Sequence, residues 1–298
     1  MRDVQQPGAG DMTQPASLIR NVSDTARWVA FYRAMESERP DAIFHDPFAR
    51  RLAGEQGEAI VAAMPKGRQM AWPMIVRTAV MDEIILRSIA HEGIDAVLNL
   101  AAGLDARPWR LRLPSSLLWV DVDMPVMLDH KESVLQGEHP KCRYEGIRLD
   151  LSDGPGRRGL FRRVGTQAKR VLVITEGLLV YLPPEAVAEL ARDLHEQSAF
   201  VLWLSDLASP ALLKMLARTW GKRLAAGNAP MKFAPAEGTG FFEPFGWREQ
   251  EYRAMFEESL RLKRTMRGAR FWRLIGMLYP RKKQEEFKRF SGIVLLER

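Results

Sequence analysis

Two short segments of the chain end in residues that could hold a nucleoside. Residues 97–107 (VLNLAAGLDAR) run from apolar to small side chains, and residues 118–123 (LWVDVD) end in carboxylates. Small residues after a strand let the backbone approach a ligand, and an acid after the next strand accepts hydrogen bonds from ribose hydroxyls. Gly103 and Asp123 are also separated by roughly the 20 residues of the dinucleotide-binding fingerprint. The pair predicts a nucleoside pocket.

The glycine loop indicates which nucleoside that pocket holds. A loop that binds pyrophosphate uses three glycines, whereas this one offers only Gly103, and Asp105 would repel a phosphate. S-adenosylmethionine has a ribose and an adenine but no phosphate, and its sulfonium is a cation that nearby acids suit. The loop therefore predicts S-adenosylmethionine as the cofactor. An NAD(P)-dependent oxidoreductase and a non-catalytic S-adenosylmethionine-binding protein are the alternatives.

Several further motifs occur in a fixed order along the chain. They are residues 21–28 (NVSDTARW), 33–36 (RAME), 46–49 (DPFA), 99–111, 120–125 (VDVDMP) and 175–182 (TEGLLVYL). With this set the chain resembles the leucine carboxyl methyltransferase-like family, from about residue 20 to 206 and again at the C-terminal strand. The resemblance implies a Rossmann-like class I fold and O-methyl transfer to a carboxylate or phenolic hydroxyl of a small molecule, such as a polyketide-type metabolite.

Two charged residues are expected to bind the amino-acid tail of the cofactor. Arg77 corresponds to the family's arginine that grips the methionine carboxylate, which a planar guanidinium can bind through two hydrogen bonds. Glu176 follows the predicted strand 170–175, where a carboxylate can meet the ammonium group. An unpaired carboxylate directly after a buried strand would be costly, which favours a functional role for Glu176.

Four more residues are expected to bind the nucleoside. Asp123 is favoured as the ribose acceptor and Asp121 comes second, since one of the two could only cap the following helix. Asp150 and Leu151 follow the third strand, where family members recognise adenine through a carboxylate and an adjacent apolar residue. Asp150 could equally be a turn or N-cap residue.

No catalytic residue is assigned, because methyl transfer is an in-line displacement that depends largely on positioning. A carboxylate acceptor is already ionised at neutral pH, while a phenol, with a pKa near ~10, benefits from a base. Tyr181, His45 and Arg33 are weak candidates near the predicted cleft. The five histidines lack the spacing of metal ligands, and no metal is expected.

The elements that must position these residues alternate between strand and helix. Strands are predicted at residues 95–100, 117–121, 143–148, 170–175, 199–205 and 292–297, with a further one at 261–267. Helices are predicted at 18–38, 45–64, 74–91 and 250–259. This pattern predicts a mostly parallel, seven-stranded α/β sheet with helices on both faces.

The chain is expected to be a single methyltransferase domain, residues 18–298, after a flexible tail at 1–17. Within it we expect a helical cover (18–93), a cofactor-binding core (94–206), a substrate-side insertion (207–248), and a C-terminal helix with strands (249–298). The insertion contains the aromatic residues Trp220, Phe233, Phe242 and Trp247. They could line an acceptor pocket or form a small core of their own.

Composition limits the partners. The net charge of +7 is scattered, and Glu285 and Glu286 dilute the basic run at 281–283, so nucleic acid is not expected as a partner. No apolar run approaches the ~20 residues that span a bilayer, so no membrane is expected either. Cys142 is the only cysteine, which fits a reducing cytoplasm. A small-molecule acceptor is the expected partner, and the oligomeric state is left open.

Overall fold

A computed structural model describes residues 22–64, 66–226, 230–266 and 268–298. The predicted tail, residues 1–17, lies outside the described residues. The described strands form one sheet in the order β3-β2-β1-β4-β5-β7-β6. They are β1 (Ala96–Leu100), β2 (Leu118–Asp123), β3 (Arg143–Arg148), β4 (Val171–Thr175), β5 (Phe200–Ala208), β6 (Arg248–Ala254) and β7 (Ser291–Glu297).

The sheet is parallel except at β7, which runs antiparallel to both β5 and β6. The strand order reverses between β1 and β4, because β1 pairs with β2 on one side and with β4 on the other. Ligands of open parallel sheets bind outside the carboxyl ends of the strands at such a reversal. The topology therefore predicts a ligand site at the loops after Leu100 and Thr175. The predicted seven-stranded, mostly parallel α/β fold is confirmed.

Helices cover both faces of the sheet. Within strand β1, Ala96, Leu98 and Leu100 face a core with α6 and α7, and Val97 faces a second core with α3. A third cluster joins α1 and α2 to α3 and α5. The helices are α1 (Val22–Ser37), α2 (Ala49–Ala63), α3 (Trp72–His91), α4 (Arg107–Arg110), α5 (Pro125–Val134), α6 (Gly154–Gln167), α7 (Pro184–His195), α8 (Pro210–Ala226), α9 (Met255–Arg261), α10 (Ala269–Met277) and α11 (Arg281–Lys288).

One strand prediction near the C-terminus is wrong, and one helix prediction is right only in its second half. The seventh strand is β6, Arg248–Ala254, which takes the first half of the helix predicted at 250–259, and the helix α9 begins at Met255. Strand β6 is an edge strand that pairs with β7, so its exposed face tolerates charged residues. Of the segment predicted as a strand at 261–267, the described residues 261–266 form the end of α9, a turn and irregular chain. Arg264 lies in this segment, and its guanidinium is buried 2.8 Å from Glu36.

Two element boundaries also differ from prediction. The second helix begins at Ala49 rather than near residue 45, and Pro47 lies before it. The Asp46 carboxylate accepts a hydrogen bond from the Phe48 amide at 3.1 Å, so it caps the turn that precedes the helix. Strand β5 continues to Ala208, one residue past the predicted start of the insertion.

Candidate functional site

A large cavity opens at the carboxyl ends of β1, β2, β4 and β5. Its volume is about 1930 Å³, above the roughly 300–1,000 Å³ typical of sites for one small ligand. Residues of helices α1, α8, α10 and α11 complete its lining. The lining includes eight of the ten predicted site residues, namely Arg33, Arg77, Gly103, Asp123, Asp150, Leu151, Glu176 and Tyr181.

The loop after β1 is held against the end of β2. Gly103 adopts a left-handed conformation with φ of 53°, and its amide donates to Asp123 Oδ2 at 2.7 Å. Ala101 shares that left-handed φ, which strains a residue with a Cβ. The Met124 amide donates to Asp123 Oδ1 at 2.7 Å. Burial raises the pKa of Asp123, although these two amide hydrogen bonds act in the opposite direction.

Asp121 is separated from the cavity, which corrects its prediction as a second ribose acceptor. Its side chain is fully buried and is not among the described residues that line the cavity. The carboxylate accepts from Lys131 Nζ at 2.5 Å, from Trp119 Nε1 at 2.8 Å and from Asn99 Nδ2 at 3.0 Å. Because side chains alternate along a strand, Asp121 and Asp123 belong to the same face of the sheet. Asp121 nevertheless lies within β2 and is buried, whereas Asp123 is the last residue of the strand and lines the cavity.

Asp150 and Leu151 both line the cavity, beyond the end of β3. Asp150 Oδ1 also accepts from the Ser152 amide at 2.8 Å, and this hydrogen bond lowers the pKa of Asp150. Asp150 therefore has the turn role that was predicted as the alternative to an adenine contact. Because Asp150 also lines the cavity, its contact with adenine stays a prediction.

Arg77 lies between two carboxylates at the sheet end. Its Nε is 2.9 Å from Glu176 Oε1, without the alignment of a hydrogen bond, and its Nη1 donates to Asp206 Oδ2 at 3.1 Å. Asp206 Oδ1 accepts from the Gly177 amide at 2.6 Å. Gly177 has a φ of 66°, and a Cβ there would lie 3.1 Å from Arg77 Nη1. Thus the turn after β4 and the end of β5 together fix the guanidinium.

Asp206 was not among the predicted site residues, although the rule that predicted Glu176 also applies to it. Both carboxylates lie at the carboxyl edge of the sheet, Glu176 directly after β4 and Asp206 within the last three residues of β5. The predicted end of that strand, residue 205, placed Asp206 at the sheet edge. Its pairing with Arg77, 129 positions away, was not visible from local pattern.

Arg107 joins three carboxylates below the cavity, so Glu176 is not an unpaired acid. Its side chain is only 2% exposed and lies 2.6 Å from Asp82, 2.8 Å from Asp105 and 2.7 Å from Glu176. Burial by itself raises the pKa of Glu176, but Arg107 and Arg77 outweigh it and hold that pKa below its ordinary value. Asp105 behaves in the same way, mainly through Arg107. These acids are ionised at neutral pH.

The three weak catalytic candidates occupy different places. Tyr181 lines the cavity, and burial raises the pKa of its hydroxyl, so the group is a hydrogen-bond donor at neutral pH. Arg33 also lines it, but its guanidinium donates to Asp46 Oδ2 at 2.8 Å and to the Leu104 carbonyl at 2.6 Å. Arg33 thereby ties helix α1 to the glycine loop. His45 is exposed and absent from the described lining, which corrects its expected approach to the site.

The aromatic residues of the predicted insertion occupy two kinds of position, the buried core and the cavity lining. Phe242 and Trp247 are fully buried in the sheet core, where Trp203 lies 5.1 Å and 5.5 Å from their ring centroids. Phe233 is buried and also lines the cavity, together with Met215 and Met231. The side chain of Trp220 lies outside the described residues. A further set of lining residues was not anticipated and belongs to α10, α11 and their flanks: Met266, Arg273, Ile275, Gly276, Tyr279, Gln284, Phe287, Lys288 and Phe290.

The described part of the chain contains neither a metal-binding cluster nor a membrane-spanning helix. No cluster of three or more His, Cys, Asp or Glu side chains is placed to hold a metal ion there. None of the described helices is long and apolar enough to cross a membrane.

Comparison with known proteins relates most of the chain to one family. The family model of leucine carboxyl methyltransferase matches residues 26–195. A provisionally named S-adenosyl-L-methionine-dependent methyltransferase of Streptomyces coelicolor is 32% identical over 258 residues, which cover 80% of this chain and 86% of that protein. A protein of Frankia alni with the same kind of name is 29% identical over 258 residues, covering 81% and 88%.

Two solved structures share the fold. A DUF574 family protein from Streptomyces avermitilis superposes with a TM-score of 0.58 at 14% identity, covering 92% of this chain and 97% of that one. A provisionally named methyltransferase from Thermobifida fusca gives a TM-score of 0.56 at 15% identity, covering 97% and 99%. At such identities the likeness concerns the fold alone.

Proposed function

Because this chain belongs to the leucine carboxyl methyltransferase family and is an S-adenosylmethionine-dependent methyltransferase, we propose that it methylates a carboxylate or phenolic oxygen of a small molecule. The observation that carries the proposal is the cluster of Arg77, Glu176 and Asp206 at the head of a large, mostly apolar cavity. It offers a charged end for an amino-acid tail and an apolar remainder for an acceptor.

The charges around the cavity floor fit a cationic cofactor. Arg33, Arg77, Arg107 and Arg110 form a chain of ion pairs with five acids, and Asp123 adds a sixth. Asp46 and Asp82 do not line the cavity, so at its surface the four arginines stand beside four of these carboxylates. The lining therefore offers carboxylates to the sulfonium and ammonium of S-adenosylmethionine and arginines to its carboxylate. The acids other than Asp123 are Asp46, Asp82, Asp105, Glu176 and Asp206.

Each part of the cofactor has a proposed partner. Arg77 would hold the methionine carboxylate through Nη2, which takes part in none of the contacts described above. Glu176 would receive the ammonium, since an ionised carboxylate accepts several hydrogen bonds at once. Asp123, anchored by the Gly103 amide, would accept from the ribose hydroxyls. Asp150 and Leu151 would contact adenine.

The rest of the cavity is proposed to take the acceptor. Apolar side chains such as Met215, Met231 and Phe233 would pack against its body. Lys66 and Arg273 are exposed basic residues of the lining, and they favour an anionic acceptor such as a carboxylate. When bound, S-adenosylmethionine supplies a methyl carbon activated by its sulfonium. Tyr181, protonated at neutral pH, would orient the acceptor by donating a hydrogen bond.

Two measurements test this function. Calorimetric titration should detect binding of S-adenosylmethionine and no binding of NADH. This result distinguishes a methyltransferase from the alternative, an NAD(P)-dependent oxidoreductase. Incubation with isotopically labelled methyl donor and panels of apolar carboxylic acids and phenols should give methyl esters or methyl ethers by mass spectrometry. The same incubation is made with a panel of matched amines. Recovery of the label only on nitrogen or carbon atoms, in all of these panels, would contradict O-methylation.

The setting of the reaction is also a proposal. Cys142 is a free, buried thiol, and burial raises its pKa to about 11, so it stays protonated and unreactive. A lone inert thiol is compatible with the reducing cytoplasm. We therefore keep the cytoplasm as the proposed compartment.

A further inference from the structure

The sequence segment 266–290 concentrates the positive charge of the chain, and it includes the α10–α11 hairpin, two short helices joined at residues 278–280. It contains eight Lys or Arg against two Glu, a net charge of +6, while the whole chain carries +7. Within the described residues, Arg289 pairs with Glu249 and Lys288 with Glu285. No ion pair involves Arg281, Lys282 or Lys283 in the same part of the chain. The rest of the chain therefore carries a net charge of only +1.

The same segment exposes most of the large apolar side chains found at the described surface. Five of the eight belong to it: Met266 (42% exposed), Phe271 (62%), Leu278 (85%), Tyr279 (41%) and Phe287 (55%). Leu278 and Tyr279 form the tip between α10 and α11, directly before Pro280 and the basic run 281–283. Met266, Tyr279 and Phe287 also line the cavity, whereas Phe271 and Leu278 are not part of the described lining. Exposed apolar side chains gathered in one segment indicate an interaction surface.

The hairpin also borders the proposed acceptor end of the cavity. Tyr279 and Phe287 line the cavity and are partly exposed, with ring centroids 5.7 Å apart. Lys283 Nζ lies 5.6 Å from the Tyr279 ring centroid. An aromatic pair flanked by a cation therefore stands at the cavity mouth.

We propose that the α10–α11 hairpin docks on the surface of an anionic lipid bilayer, with Leu278 and Tyr279 in the interfacial layer and Arg281, Lys282 and Lys283 at the headgroup phosphates. Interfacial helices combine exposed apolar side chains with Lys and Arg in this way. Basic residues near an anionic surface each add to the attraction, and the attraction is lost within a Debye length.

A lipid surface suits these residues better than an acidic protein does. A protruding, nearly fully exposed Leu278 finds an apolar environment at any bilayer surface, whereas a protein would need a pocket shaped for it. Docking would also bring the cavity mouth to the membrane, so that an apolar acceptor could enter from the lipid. That last step alone rests on the proposed methyl transfer.

The test measures sedimentation of the full chain with vesicles. We expect binding to an equimolar mixture of phosphatidylglycerol and phosphatidylcholine, no binding to phosphatidylcholine alone, and loss of binding in about 1 M salt, where the Debye length is about 3 Å. Leu278→Glu, and separately Lys282→Glu with Lys283→Glu, should weaken binding by at least about tenfold.

Matched controls carry the same changes elsewhere on the surface. Val126→Glu alters another exposed apolar residue, on α5, and Arg162→Glu with Lys169→Glu alters two exposed basic ones; both should bind vesicles like the wild type. Equal losses in controls and hairpin variants would overturn the proposal, as would equal binding to both vesicle types. If the chain binds soluble polyglutamate but not vesicles, and Leu278→Glu leaves the polyglutamate binding unchanged, the partner of the hairpin is an acidic protein and not a membrane. Titration of each variant with S-adenosylmethionine tests the cofactor site separately.

Discussion

Arg77 illustrates how a single buried cation can be both structural and available to a ligand. A guanidinium that is 9% exposed needs anionic partners, which Glu176 and Asp206 provide at 2.9 and 3.1 Å. Burial works against its charge, yet the two carboxylates raise the pKa of Arg77 above its ordinary value. The charge is therefore permanent, and the planar fork remains oriented toward the cavity even without a bound carboxylate.

Arg77→Ala should weaken binding of S-adenosylhomocysteine by at least about tenfold, because it removes a charged hydrogen-bond donor to the amino-acid carboxylate. Arg77→Lys should recover only part of the loss, since an ammonium lacks the fork. Isothermal titration calorimetry gives the affinities.

The control is Arg87→Ala, on the same helix α3, where the side chain is 41% exposed and pairs with Glu251 outside the cavity. It should bind the ligand like the wild type. Unchanged affinity in Arg77→Ala, with thermal melting showing a folded protein, would remove Arg77 from the cofactor site.

At the scale of elements, the cover over the cavity depends on close packing of α1 against α2. Gly57 lies in α2, where a Cβ would be 2.7 Å from the carbonyl oxygen of Arg27 in α1. Backbone cannot move aside as the end of a flexible side chain can, so the two helices approach only because this position lacks a side chain. Arg33 then links α1 to the glycine loop through the Leu104 carbonyl.

Gly57→Ala should lower the free energy of unfolding by roughly 1–3 kcal/mol, the usual effect of overpacking a close contact. Gly159→Ala is the matched control, because Gly159 also lies within a helix, α6, and no atom is found within 4 Å of its added Cβ. That variant should gain up to about 1 kcal/mol from helix propensity. Urea unfolding measures both, and equal changes in the two variants would contradict close packing at Gly57.

At the scale of the whole molecule, ion pairs join the helical cover, the sheet and the cavity floor. Asp105 and Glu176 have pKa values below their ordinary ones in the folded chain, since the arginine charges outweigh burial. Such groups stabilise the fold fully above their unfolded pKa values, about 3.9 and 4.3, and this stability is lost as the pH falls through the lower folded values. Burial gives Asp121 and Asp123 raised pKa values, which act in the opposite sense.

The midpoint of urea unfolding should therefore decline as the pH falls below about 4, and Asp105→Asn should make that decline shallower, because the variant has no proton to take up at this site. Asp150→Asn is the comparison, since Asp150 is exposed and its pKa is also lowered, but by a local hydrogen bond from Ser152. A decline in Asp105→Asn as steep as in the wild type would show that Asp105 does not contribute to acid stability.

The sequence by itself determined the α/β sheet, six of its strands and the cofactor class. Those depend on local signals, namely apolar runs of strand length and small or acidic residues where they end. Only the tertiary structure decided that Asp121 is buried on Lys131, that Asp206 holds Arg77, and that residues of the α10–α11 hairpin line the cavity. The surroundings of a carboxylate and its counter-charge depend on packing between distant segments, and the charge-rich edge strand β6 is stabilised by β7 rather than by its own pattern.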